Sequence, residues 1–143
     1  MKALTKLDLM ELGIDVSKTE TGEYLVRHYA RNTKSLKRSL RVLKPSIIGR
    51  KHPYGESKMY KAYLFHENGK AYTIAEHRLV YVFFVDDIPA NYDVDHIDGD
   101  TMNNSLDNLQ LLTRKENLAK RTLTQSEIMK LYYATKKGEQ DGK

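Results

Sequence analysis

The chain has 143 residues, 40% of them hydrophobic, with no cysteine, five histidines and a formal net charge of +5. That is enough apolar material for one modest core, and it excludes a disulfide framework and a cysteine zinc site. No apolar run reaches membrane-spanning length and the first residues lack a signal-peptide pattern, so no membrane partner and a cytoplasmic location are expected.

The charge is segregated. Residues 24–55 hold nine Lys or Arg (Arg27, Arg31, Lys34, Lys37, Arg38, Arg41, Lys44, Arg50, Lys51) and no acidic residue. Residues 79–113 hold seven aspartates and no Lys or Arg. The first stretch suits a polyanion and the second a cation.

In chain order, Thr5 to Leu12 suits a short helix stopped by Gly13, and Tyr24-Leu25-Val26 and Val42 to Ile48 suit strands. Between them, Asn32 to Arg38 is basic and polar, and Lys44-Pro45 and Gly49-Arg50-Lys51 read as turns. Tyr60 to Glu67, Asn68-Gly69 and Lys70 to Ala75 form a hairpin pattern, because Asn-Gly supplies the positive φ angles of a two-residue turn. Counting outward pairs Glu67 with Lys70, Phe65 with Tyr72 and Tyr63 with Ile74, which puts three aromatics and an isoleucine on one expected core face. His77 to Phe84 permits a buried helix, with Leu79, Val80, Phe83 and Phe84 inward, or a strand; Asp86 to Asn91 is a loop.

Val94 and Ile97 flank Asp95-His96 in a short apolar stretch, and the polar run around Gly99 is a loop. Leu109, Leu111 and Leu112 read as a second strand. Thr113-Arg114-Lys115-Glu116 is a capping box that opens a helix and places Asn117 one turn inside it. A second capping box, Thr124 to Glu127 with Leu123 and Ile128 as staple, opens a helix striped by Ile128, Leu131, Tyr132 and Thr135, and Lys136 to Lys143 is expected to fray.

A carboxylate and an amide oxygen can hold a divalent ion, and a histidine beside them can activate water. Asp95, His96, Asn108 twelve residues after the histidine, and Asn117 nine residues further supply that set. A calcium loop fails on register: with Gly99 at its sixth position, Val94, His96 and Ser105 fall where ligands are required. Structural zinc fails too, since His28, His52, His66, His77 and His96 show no ligand spacing. A hard, oxygen-rich site suits Mg²⁺ or Mn²⁺.

The run from Tyr92 to Asn117 resembles the HNH endonuclease motif of phage and intron homing enzymes. The resemblance is strong over residues 77–121, weak over 24–76 and absent elsewhere. It implies an α+β fold in which a ββα-metal core at 77–121 follows a basic, β-rich DNA-contacting region at 1–76 and precedes a helix and tail at 122–143. It also makes His77 to Phe84 helical. Residue by residue, it implies that Asp95 and Asn117 hold the metal and His96 is the general base. Asn108 would brace the loop and hold His96 through its backbone. Water would attack phosphorus in line with a departing 3′ oxygen of double-stranded DNA, and one motif per chain implies a monomeric nickase.

The DNA-contacting set expected is Arg31, Lys34, Lys37, Arg38, Arg41, Lys44, Arg50, Lys51, His77, Arg78, Arg114, Lys115 and Arg121. Two departures stand out: Leu111 replaces a tryptophan of many relatives, and Asn117 replaces the final histidine with a weaker, neutral ligand. The competing readings are a catalytically silent DNA- or RNA-binding protein on the same fold and a phage packaging nuclease active only in a complex.

Overall fold

A computed structural model of the chain describes residues 3–31, 38–50, 58–120 and 125–141. The expected Lys34, Lys37, Lys51 and Arg121, and the Leu123 and Thr124 of the second cap, lie outside the described residues. So do the side chains of Arg38, Arg50 and Thr135. The fold is α+β: three small antiparallel sheets and four helices among the described residues.

Helix α1 (Lys6–Glu11) starts where Thr5 Oγ1 accepts a hydrogen bond from Asp8 N at 3.1 Å, and it ends at Gly13, whose φ of 85° few other residues adopt cheaply. The first sheet then forms from β1 (Ile14–Lys18), β2 (Tyr24–Arg31) and β3 (Arg38–Val42). Strand β1 was not expected, and β2 runs well past Val26. Ile14, Val16, Val26 and His28 are the buried face.

The second sheet comprises β4 (Ser46–Arg50), β5 (Lys58–Glu67) and β6 (Lys70–Ala75). The Val42 to Ile48 strand of the sequence reading is broken: β3 ends at Val42 and β4 begins at Ser46, because Pro45 cannot donate to a ladder. The β5–β6 register is the expected one, Glu67 with Lys70, Phe65 with Tyr72 and Tyr63 with Ile74, and Asn68 and Gly69 take φ of 52° and 73°. Tyr63 and Phe65 are buried, and Phe65 stacks on Tyr72 with centroids 5.2 Å apart. A buried His28–Glu67 pair, Nε2 to Oε2 at 2.9 Å, joins the first sheet to the second.

Helix α2 (Glu76–Phe84) follows β6 without a loop, so the second sheet fixes where its N-terminus lies. Leu79 and Val80 are wholly buried at the centre of the core. The inward set differs from expectation: Tyr81 and Val82 are buried while Phe84 is exposed, because α2 is surrounded by several elements and its apolar face is wider than one stripe. The third sheet is β7 (Tyr92–His96) paired with β8 (Leu109–Thr113), Asp95 opposite Gln110 and His96 opposite Leu109. Helix α3 (Arg114–Lys120) begins at the expected capping box, where Thr113 Oγ1 accepts from Glu116 N at 3.2 Å and Glu116 Oε1 accepts from Thr113 N at 3.1 Å. Helix α4 (Gln125–Asp141) buries Ile128 but exposes Leu131, and it continues to Asp141, into the segment expected to fray.

Candidate active site

Side chains alternate along a strand, and on β7 this decides which neighbours each candidate meets. Val94 and His96 are buried on the side of α2; Asp93 and Asp95 point to the side covered by α3. Asp95 and His96 therefore emerge on opposite faces and share only the strand end.

The His96 ring is buried, with its centroid 4.7 Å from that of His77 in the first turn of α2. Its Nε2 lies 2.7 Å from Asn104 Oδ1. Burial pushes the His96 pKa down, while the bond to Asn104 and the charges of Asp95, Asp98 and Asp100 oppose that shift without reversing it. A ring of lowered pKa is neutral at neutral pH, the form that can accept a proton.

Asn108 is almost wholly buried in a single 3₁₀ turn, Leu106–Asn108. Its Oδ1 accepts from Asp98 N at 3.1 Å, and its Nδ2 donates to Asp98 Oδ1 and Asn103 O, both at 2.9 Å. Its carbonyl accepts from Ile97 N at 2.8 Å. The loop is thus braced from its far end, with the link to His96 made one residue on, at Ile97. Asp98, so surrounded by donors, has its pKa lowered even though burial is the largest single influence on it and pulls the other way.

Across the strand pair, Asn117 Nδ2 donates to Asp93 Oδ2 at 2.9 Å, so its amide oxygen is the end that can meet a cation. Asp95 instead accepts from Gln110 Nε2 at 2.9 Å and from Lys120 Nζ at 2.5 Å. Lys120, which the sequence reading did not single out, also donates to the carbonyls of His96 at 2.6 Å and Ile97 at 3.3 Å. Among the described residues, no three His, Asp or Glu side chains gather as a metal cage. Yet a carboxylate and two carbonyl oxygens already converge on one cation, and a donor set of hard oxygens beside the Asn117 helix fits a divalent ion. The residues fit the group, with Lys120 as its competitor.

Of the expected DNA-contacting residues, Arg31, Arg41, Lys44, Arg114 and Lys115 are exposed, and His77 and Arg78 are half-buried. The His77 ring packs against those of Tyr60 and His96, with centroids 5.7 Å and 4.7 Å away. Besides Lys120, Asn104 and Glu76 were missed; Asn104 looked like one more polar residue of a turn.

Strands β7 and β8 and helix α3 follow one another in the order expected for residues 92–120, with Asp95-His96 at the strand end and Asn117 on the helix. A family model described as HNH endonuclease matches residues 75–119. The chain is also 51% identical over 41 residues to a protein of Bacillus subtilis (strain 168) named "SPbeta prophage-derived putative HNH homing endonuclease YosQ". That stretch is 29% of this chain and 24% of the relative, so the likeness spans about a quarter of the relative's length. No solved structure matches the chain significantly.

Proposed function

We propose that the chain is a divalent-metal-dependent endonuclease that hydrolyses phosphodiester bonds of double-stranded DNA, cutting one strand at a time. The observation that carries this reading is His96: buried, lowered in pKa and held at the end of β7, one residue from a carboxylate that already grips a cation, inside the segment matching the nuclease family.

His96 takes the proton from the attacking water, which adds to phosphorus in line with the departing 3′ oxygen. Asp95 and Asn117 would hold Mg²⁺ or Mn²⁺; when bound, the ion stabilises charge on the phosphate and on the leaving oxygen. Arg31, Arg41, Lys44, Arg114 and Lys115 are exposed where they can meet backbone phosphates. Among the described residues no helix is long and apolar enough to cross a membrane.

Supercoiled plasmid incubated with the chain and Mg²⁺ tests the reading. Open circle should accumulate before linear DNA, since one site per monomer breaks one strand per encounter. Linear product at the earliest times would contradict single-strand cutting, and intact plasmid with either metal would favour the silent binding protein.

Lys120 yields a second expectation. Replacing it with methionine removes a cation that competes for Asp95, so Mn²⁺ binding, followed by the loss of free-ion paramagnetic signal, should tighten by roughly threefold to tenfold at this partly exposed site. Unchanged or weaker binding would place the ion elsewhere.

The pH dependence follows from His96. Its pKa in the fold lies below the ordinary 6.5, so the cleavage rate should climb with pH only in the acid range and be level by neutrality. Stability follows the same sign: a histidine whose pKa is lowered by folding contributes fully above the unfolded value of 6.5, and that contribution is lost as pH falls through the folded value. Rates and urea midpoints measured between about pH 5 and about pH 8 check both. A rate still rising above neutrality would point to a different base.

A further inference from the structure

The hydrogen bonds behind His96 have a direction, and one residue sets it. Glu76, buried in the first turn of α2, accepts from Tyr63 Oη on Oε2 at 2.5 Å and from Asn104 Nδ2 on Oε1 at 3.0 Å. A carboxylate accepts and does not donate, so the Asn104 amide must present its nitrogen to Glu76; turned over, it would set one oxygen against another. Its Oδ1 is thereby left for His96. An amide oxygen also only accepts, so His96 Nε2 carries the hydrogen of that 2.7 Å bond, and the neutral ring keeps its lone pair on Nδ1.

The anchoring is tight. Tyr24 Oη, from the first sheet, donates to the Asn104 carbonyl at 2.7 Å, so Asn104 is held at backbone and side chain. Burial, the largest influence, and the Glu76 carboxylate push the Tyr63 hydroxyl well above its ordinary pKa, which keeps it a donor at any working pH. Glu76 itself sits at a helix N-terminus, where negative charge is favoured.

We propose that Asn104 and Glu76 are positioning residues for His96: their chain of hydrogen bonds holds the imidazole with its proton on Nε2, and Nδ1 is the atom that takes the proton from water. The kinetic part rests on the nuclease reading. The tautomer does not.

The test uses the full chain labelled with ¹⁵N. Two-bond nitrogen–proton correlations of the His96 ring, at about pH 8 where a histidine of ordinary or lowered pKa is neutral, should show the Nε2–H tautomer. Asn104→Ala should lose that preference and lower kcat on plasmid about 10- to 100-fold, the usual cost of removing a partner that orients a histidine, with KM nearly unchanged. Asn104→Asp alone sets two carboxylates together and should be as poor. Combined with Glu76→Gln, it rebuilds the chain with amide and carboxylate exchanged, and it should recover both tautomer and kcat.

An Nδ1–H tautomer in the wild type would overturn the proposal. So would Asn104→Ala with unaltered tautomer and kcat, or a double variant no better than Asn104→Asp. If Asn104→Ala does not fold, the comparison of Asn104→Asp with the double variant decides. If the wild type cuts no DNA, the nuclease reading fails by itself, and the tautomer with its loss and recovery still decides the positioning.

Discussion

His96→Ala should leave a folded chain that binds duplex DNA as the wild type does and cuts it about 10²- to 10⁴-fold more slowly, the usual contribution of a general base. Removing the ring should cost little affinity, because the part proposed for the residue in the reaction is confined to one proton. It sits on the α2 side of β7, while the carboxylate and amide oxygens offered to the metal lie on the α3 side. Metal binding should therefore survive as well. Single-turnover cleavage beside a DNA-binding titration and a circular dichroism melt separates the contributions. A folded His96→Ala chain cutting at the wild-type rate would remove His96 from the chemistry, and one that no longer bound DNA would show that the ring does more than move a proton.

Asn108→Ala should be the most damaging change for stability near the site. Its side chain makes three hydrogen bonds from a position almost without solvent. Alanine strands the Asp98 amide and the Asn103 carbonyl, and each buried group left unsatisfied costs about 1–3 kcal/mol. A loss of roughly 2–4 kcal/mol is expected after partial relaxation, which at this chain length lowers the Tm by the order of 10 °C. Activity should fall too, because the loop so braced runs from His96 to Asn104 and holds both ends of their bond. A melt within about 1 °C of wild type would mean the loop is held by something else, since no two lost bonds are that cheap.

What could be read from the sequence was local. Asn68-Gly69 fixed the hairpin register, because a two-residue turn leaves no freedom in pairing. Thr113 and Glu116 fixed the start of α3 through bonds three residues apart. Strand β1 was missed because five residues with two apolar positions give no periodicity to count, and the continuation of α4 through its polar end was missed because its composition resembles a frayed tail.

Within the site, the aspartate–histidine pair and the two asparagines were visible as a spaced motif. The residues that hold them in place were not. Glu76 is 28 positions from Asn104, and Lys120 is 25 from Asp95; such pairs meet only because β6 runs directly into α2 and α3 crosses β7. The opposite orientation of Asp95 and His96 follows from strand alternation alone, so the two side chains do not face Asn117 as one unit.

The most direct measurement is the chemistry of the cut. Plasmid nicked by the wild-type chain with Mg²⁺ should be sealed by DNA ligase alone, because attack of water with departure of the 3′ oxygen leaves a 5′-phosphate and a 3′-hydroxyl. A nick that ligase cannot close, or no nick with either metal, would contradict the account.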